Sequence, residues 1–305
     1  MSQTSTMQAF QPGDILVGAT LLNVADDDHA GDGRILQYDS DLNEKGVLWT
    51  GKSHLIGGLN FAPSGVLWAF DSQEFRILNV SPSGQLLPDP GFDSRSFSNV
   101  NFGKNGDIYL AEHMVGNHIG VELSTHIPKM PGTDRYGDGH IFCYRADGSV
   151  HEYRTETHGG MAGFLGVTMS ALSSDEATMV YTSETSPRLM RYDLRNDRQL
   201  PDLLSYPEGQ REMFFGMAYD NAGRLLVARG NRVDVLDNAG QVLRSYPLEG
   251  FGWASISNGA DDGHFLATNF FSGGIAKVDR DSGRILAQAN VGVPRSVAGI
   301  AEYPG

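Results

Sequence analysis

The sequence predicts an all-β fold, a six-bladed β-propeller with four antiparallel strands per blade, closed by pairing of the N- and C-terminal strands. Three observations predict it. A unit of strand, tight turn and strand recurs along the chain. Its turn glycines keep a near-constant spacing: Gly65 and Gly106 lie 41 residues apart, Gly223 and Gly263 lie 40 apart. Four strands in about 40–50 residues is the signature of a propeller blade. Each chain end carries one strand without a partner.

In chain order, residues 14–20 read as a second strand with no first strand before it. Residues 58–65 lead through a turn into 66–71, the inner pair of blade two. The same grammar returns at 99–106 with 107–112, at 167–175 with 179–184, at 216–223 with 224–229, and at 254–258 with 263–269. Third strands follow at Phe75-Arg-Ile-Leu, Leu189-Met-Arg-Tyr and Ile275-Ala-Lys-Val. Polar turns then lead to fourth strands (Ser83-Gly84, Asp147-Gly148, Ala239-Gly240, Ser282-Gly283). Alternating apolar residues fit strands packed face to face. Residues 296–303 read as a first strand without its second. Set beside 14–20, it completes blade one from both termini and removes the open edge that a broken ring would leave. The chain is thus expected to be one domain, 1–305. The step from Gly106 to Glu176 is 70 residues, so blade three carries an insertion of roughly 25 residues against the blade period. It is placed at 113–139 and expected to be a lid. Its Pro, Gly and apolar residues suit a folded loop, and a lid excludes water during chemistry.

Composition narrows the partners. The 37 acidic and 23 basic residues give a formal charge of −14, which argues against nucleic acid or an anionic membrane. No run reaches membrane-spanning length. Residues 1–14 have neither a basic n-region nor an apolar h-region, so the expected location is cytoplasmic. Cys143 is the only cysteine; it sits in a strand pattern and is expected in the core, with no disulfide or thiolate-rich metal site to form. The expected partner is a small-molecule substrate. There is no Walker loop, nucleophile elbow, dinucleotide fingerprint or H-E-x-x-H.

In such a blade the first-to-second and third-to-fourth turns share one face. Here they are short, as plain hairpins need. The second-to-third and blade-to-blade connections share the other face, and they are long. Chemistry concentrates on long loops held by a rigid scaffold. Seven of the nine histidines are assigned to that face: His29, His54, His113, His118, His126, His140 and His158. Positions at starts of first strands and ends of second strands should line the channel: His54, His158, Asp71, Glu112, His113, Glu184, Arg229 and Asn269. The expected metal ligands are His54, His113, His158 and Glu184. Imidazole with carboxylate suits Zn²⁺ or Fe²⁺, whereas oxygen donors alone suit Ca²⁺ or Mg²⁺. Asp26 to Asp28 read as a solvated turn. The expected catalytic residues are Glu112 or His118 as general base and Arg229 as a clamp for an anionic group. Arg211, Phe214, Phe215, Trp253, Asn269 and Phe270 are the expected substrate contacts.

Residues 170–194 (Ser170-Ala-Leu-Ser-Ser-Asp-Glu-Ala-Thr-Met-Val-Tyr-Thr-Ser-Glu-Thr-Ser-Pro-Arg-Leu-Met-Arg-Tyr-Asp-Leu194) resemble one blade of the SMP-30/gluconolactonase and strictosidine-synthase-like propellers. Weaker likeness in turn and strand grammar covers the whole chain. The resemblance implies six blades and a divalent ion in the channel, in a family that includes lactonases, phosphotriesterases and condensing enzymes. It departs from the lactonase pattern at two ligand positions. The closing strand begins Pro294-Arg-Ser-Val, without the family's Glu, and Leu165-Gly166 stand where the family has Asn. Asn99 corresponds to a third. The leading functional expectation is a metal-dependent hydrolase of a small lactone or ester. The alternatives are a histidine-ligated metal lyase or oxygenase acting on a small compound, aromatic ones included, and a non-catalytic propeller that binds a ligand or protein.

Overall fold

A computed structural model describes residues 3–24, 30–51, 55–116, 129–157, 166–183, 186–207, 210 and 212–305. Their regular structure is entirely strand and turn. Blade one contains β1 (Ile15–Leu22), β2 (Gly31–Tyr38) and β3 (Glu44–Trp49). Blade two contains β4 (Gly57–Phe61), β5 (Leu67–Asp71) and β6 (Arg76–Val80), with a single bridge from Val80 to Leu86 where a fourth strand would run. Blade three contains β7 (Phe97–Phe102) and β8 (Ile108–Glu112). The two-residue strands β9 (Val115–Gly116) and β10 (Gly137–Asp138) follow as a separate ribbon, then β11 (Ile141–Tyr144) and β12 (Val150–Tyr153). Blade four contains β13 (Met169–Leu172), β14 (Thr178–Thr182), β15 (Arg188–Asp193) and β16 (Arg198–Ser205). Blade five contains β17 (Met217–Tyr219), β18 (Leu225–Ala228), β19 (Arg232–Leu236) and β20 (Val242–Pro247). Blade six contains β21 (Trp253–Asn258), β22 (His264–Asn269), β23 (Gly274–Asp279) and β24 (Ile285–Asn290). The last strand, β25 (Val297–Glu302), lies antiparallel against β1, with Leu16 opposite Ala301 and Val17 opposite Ile300. The predicted six-bladed ring and its terminal closure are both present.

Burial follows position in the blade. Second strands are covered on both faces by neighbouring blades, so they read as continuous apolar runs rather than alternating ones; every residue of β5, β18 and β22 is buried. Outer strands meet water, and β24 is largely exposed. Six apolar clusters form, one at each blade junction. The cluster joining blade six to blade one combines Leu266 and Ile275 with Ile15, Val17, Val297 and Ile300. Cys143 is buried and free, as expected, in the cluster between blades three and four. Among the described residues no helix is long and apolar enough to cross a membrane.

The N-terminal arm is a feature the repeat pattern does not announce. Thr6 and Met7 donate backbone N–H to Val47 O, Phe10 N–H reaches Pro82 O, and the Phe10 ring packs against Phe61 and Tyr303. The arm therefore ties blade one to blade two.

A polar clasp backs the closing strand. His264 Nε2 lies 2.8 Å from Glu302 Oε2, which also accepts the Ala260 N–H at 3.1 Å; Lys277 Nζ stands 3.9 Å from Oε1. Burial alone would raise the Glu302 carboxyl, but the His264 hydrogen bond and charge, with Ala260 and Lys277, outweigh it and hold it below its ordinary value. A depressed carboxylate pKa adds stability above the unfolded-state value, and that stability is lost as pH falls through the folded-state value. Glu302→Gln is therefore expected to lower the melting temperature at pH 7 by roughly 3–6 °C. The gap from wild type should close as the pH drops below the ordinary carboxylate range. Melting curves from pH 3 to 8 measure this; a pH-independent gap would show that the carboxylate charge is not what stabilises the clasp.

Candidate functional site

The innermost strands of the six blades, β4, β7, β13, β17, β21 and β25, surround the channel. Glycines stand at three of their close approaches. A Cβ on Gly58 would lie 1.8 Å from Ser98 O, on Gly216 2.6 Å from Ala254 O, and on Gly299 2.8 Å from Leu59 N. No side chain larger than hydrogen fits those contacts. From there a cavity of about 420 Å³ extends toward the short-turn face, where Lys104, Ser174 and Glu176 stand at its rim. Its wall carries amides and hydroxyls: Asn60, Asn99, Asn101, Ser170, Ser257 and Asn258.

Asp71, Glu112, His113, Arg229 and Asn269, assigned to the channel wall from the ends of second strands, do not line this cavity. First-strand residues of blades two to six line it, with Gly299 and Ile300 of the closing strand. The signal was present as polar residues two apart in first strands: Asn99 and Asn101, Ser255 and Ser257.

At the long-loop end, Glu112 is fully buried. Its Oε2 accepts N–H bonds from Asp138 (2.8 Å) and Gly139 (2.9 Å), and Arg95 Nη1 is 3.3 Å from Oε1. Burial raises the carboxyl pKa, partly countered by Arg95 and the two N–H donors. Both oxygens are thus engaged in fixing the base of the blade-three insertion, where β9 and β10 pair. His113, the next residue, is 7% exposed. Its N–H donates to Ser96 O at 2.7 Å, and Val167 N–H donates to Glu112 O at 2.8 Å, which pins this stretch between blades three and four.

Arg229 is buried, and each of its three nitrogens has a protein acceptor. Nε donates to Met213 O (2.8 Å), Nη1 to Asp234 (3.1 Å) and Nη2 to Glu212 (2.6 Å). The guanidinium also lies 4.2 Å over the Phe214 ring. Of the expected substrate contacts, Phe214 is fully buried core, and Trp253 is buried with its indole N–H on Glu249 O. Asn269 caps its own turn by accepting the Ser272 N–H. Phe215 and Phe270 are half-buried. They join Phe251 and Phe271, each 49% exposed, in a chain of ring contacts 5.4–6.3 Å between centroids. Phe251 was not anticipated. It sits between Gly250 and Gly252, both at positive φ, and that Gly-Phe-Gly turn was the available signal.

His54, His118, His158, Glu184 and Arg211 lie outside the described residues, as do His29, His126 and the run Asp26 to Asp28. His140, just before β11, pairs with Glu152 of β12 at 2.7 Å, and His151 of β12 pairs with Asp197 in the outer turn of blade four at 3.0 Å. Among the described residues, no three His, Cys, Asp or Glu side chains stand close enough to hold a metal ion.

No protein-family model matches the chain, and no curated protein matches it. Solved structures do. A chain in a nidogen/laminin complex superposes with TM-score 0.60 at 14% identity, covering 94% of this chain and 97% of that one. A gluconolactonase from Xanthomonas campestris gives 0.57 at 15% identity over 88% and 95%. A virginiamycin B lyase from Staphylococcus aureus gives 0.54 at 15% identity over 96% and 89%. These likenesses establish the six-bladed propeller fold, which by itself selects no reaction among a lactonase, a lyase and a member of a protein complex.

Proposed function

We propose that this chain is a metal-dependent enzyme acting on a small organic molecule at the long-loop end of its channel, and that the reaction is hydrolysis of a lactone or ester. The observation that carries this reading is His113. It is a buried imidazole at the end of β8, with its own backbone and that of Glu112 bonded to the starts of the inner strands of blades three and four. Fixing the backbone of a ligand or catalytic side chain in this way is what a preorganised centre needs. The ion would be held by His113 with His54, His158 and Glu184, an imidazole-rich set suited to Zn²⁺ or Fe²⁺. A divalent ion in such a site polarises a carbonyl and lowers the pKa of bound water. The residues of the chain do the rest. Glu112 and Arg95 hold the base of the insertion in place, and His118 is the remaining candidate base. The rings of Phe215, Phe251, Phe270 and Phe271 offer an apolar surface on the same face.

Metal analysis and lactone assays test this. Purified protein is expected to contain about one divalent ion per chain, and His54→Ala with His158→Ala together should remove it without changing the circular dichroism spectrum. The metal-loaded protein should open γ- or δ-lactones, or cleave p-nitrophenyl esters, and His113→Ala should abolish that activity. Full metal retention in the double variant would reject the ligand set. Loaded protein inert toward both substrate classes would reject hydrolysis and favour the lyase alternative.

A second reading, a non-catalytic ligand-binding propeller, is favoured by one observation. Among the described residues, the titratable side chains lining the cavity are Lys104, Glu176 and Tyr219, and burial pushes the Tyr219 hydroxyl up to about 12. Asn and Ser side chains make up most of its polar wall, a surface that binds rather than reacts.

A further inference from the structure

We infer that the short-turn half of the channel is a second binding site, and that its ligand is a small neutral polyhydroxylated molecule. The cavity's size, about 420 Å³, falls in the range of small-molecule sites. Its interior wall is polar but uncharged, and two features of that wall select the ligand's chemistry.

The first is fixed orientation. Asn99 Nδ2 donates to Ser98 Oγ and to Thr168 O, both at 2.9 Å, and Asn99 Oδ1 accepts the Ser170 hydroxyl at 2.5 Å. Asn101 Nδ2 donates to Ser170 Oγ at 2.9 Å, while its Oδ1 accepts the Leu172 N–H at 3.1 Å. These bonds cross from blade three to blade four, so this part of the wall is set before any ligand arrives. Preorganised polar groups bind without the ordering cost that mobile ones incur. Asn60 is bonded differently. It lies on an innermost strand yet is exposed, which places it against the channel space. Its Nδ2 donates to Val100 O at 3.2 Å, and its Oδ1 has no partner among the described residues. One wall therefore presents the open Asn60 acceptor beside the Ser170 hydroxyl oxygen, whose one hydrogen is held by Asn99 and which keeps acceptor capacity, and the O–H donors of alcohol groups match such a surface.

The second is the treatment of charge. Lys104 and Glu176 are at the rim, and both are turned onto protein partners. Lys104 Nζ reaches Ser174 O at 2.5 Å, and Glu176 Oε1 accepts the Lys104 N–H at 2.8 Å. Arg280 and Asp262, beyond the wall, are bonded to the two ends of the Asn258 amide. No unengaged charge faces the interior, so a charged ligand would lose its hydration with nothing to replace it. Met169, Leu172, Met217 and Ile256 add apolar patches that suit the C–H faces of a ring.

Saturation-transfer NMR with the full-length chain and myo-inositol as the probe tests the inference. Two variants report on the site. Asn60→Leu removes the open acceptor. Ala218→Phe fills the space from blade five without deleting a side-chain hydrogen bond. Melting curves establish that each is folded, and either folded variant suffices. Wild type at millimolar probe should give transfer signals that fall at least fivefold in the variant, and myo-inositol 1-phosphate should give none. Absence of signal from wild type, undiminished signal in the folded variants, or equal signal from the phosphate would each overturn it. The site shares no residue with the proposed long-loop centre, so metal content and lactone turnover stay unchanged in both variants whichever way this result falls.

Discussion

A chain lacking residues 296–305 is expected to be recovered as insoluble protein, or, where soluble, to melt at least 10 °C below the full chain. Strand β25 gives β1 its backbone partner, through the pairs Ile15–Glu302, Leu16–Ala301 and Val17–Ile300. Its removal leaves a row of unpaired N–H and C=O groups on a buried strand, the arrangement most prone to edge-to-edge association. It also removes Val297, Ile300 and Ala301 from the cores on either side of blade one, and each large apolar side chain stabilises by about 1.5–3 kcal/mol when buried. Losses at Val297 and Ile300 alone approach the net stability of an ordinary domain, about 5–15 kcal/mol. Tyr303 goes too, and with it two ring contacts to Phe10 and Phe61 that seat the N-terminal arm. Soluble yield and a thermal melt followed at a β-sheet wavelength are the measurements. An unchanged melting temperature would mean that the ring is not held by its terminal strands.

The second large effect is expected at Asp234. It is buried, and it accepts from Arg229 Nη1 at 3.1 Å, Arg232 Nε at 3.2 Å and the Ser245 hydroxyl at 2.5 Å. Asp234→Ala leaves the Arg229 guanidinium, itself without solvent exposure, short of a counter-charge. Breaking one side of a buried pair costs about 3–5 kcal/mol, a fall in melting temperature of roughly 6–20 °C for a domain of this size. Arg229→Met should cost less, because Asp234 keeps Arg232 and Ser245 and the methionine keeps contact with Phe214. The pair of variants separates the two roles open to Arg229. A structural clamp lowers the melting temperature in both and leaves KM for any substrate unchanged. A substrate clamp, as its position in the sequence suggested, would raise KM in Arg229→Met with little change in melting.

Much of the architecture was legible because a propeller repeats. Each strand boundary is announced several times over, and the unmatched strands at 14–20 and 296–303 specified the closure that β1 and β25 show. The insertion stood out as a break in a regular period. Burial of Cys143 followed from its strand neighbours alone. What tertiary structure decided was the partner of each polar side chain. Glu112, Arg229 and Asn269 have the residue types of a catalytic or binding site and sit on the face where such sites form. Yet they spend their hydrogen bonds on Asp138 and Gly139, on Glu212 and Asp234, and on Ser272. Those partners lie from 3 to 27 residues away, and local pattern does not encode which of several nearby acceptors a guanidinium will meet. The ring radius was equally out of reach. It depends on how closely inner strands approach at Gly58, Gly216 and Gly299, contacts between segments about 40 or more residues apart. Periodicity in the sequence determined that six blades surround an axis; packing across the blades decided which side chains face that axis and where the space along it opens.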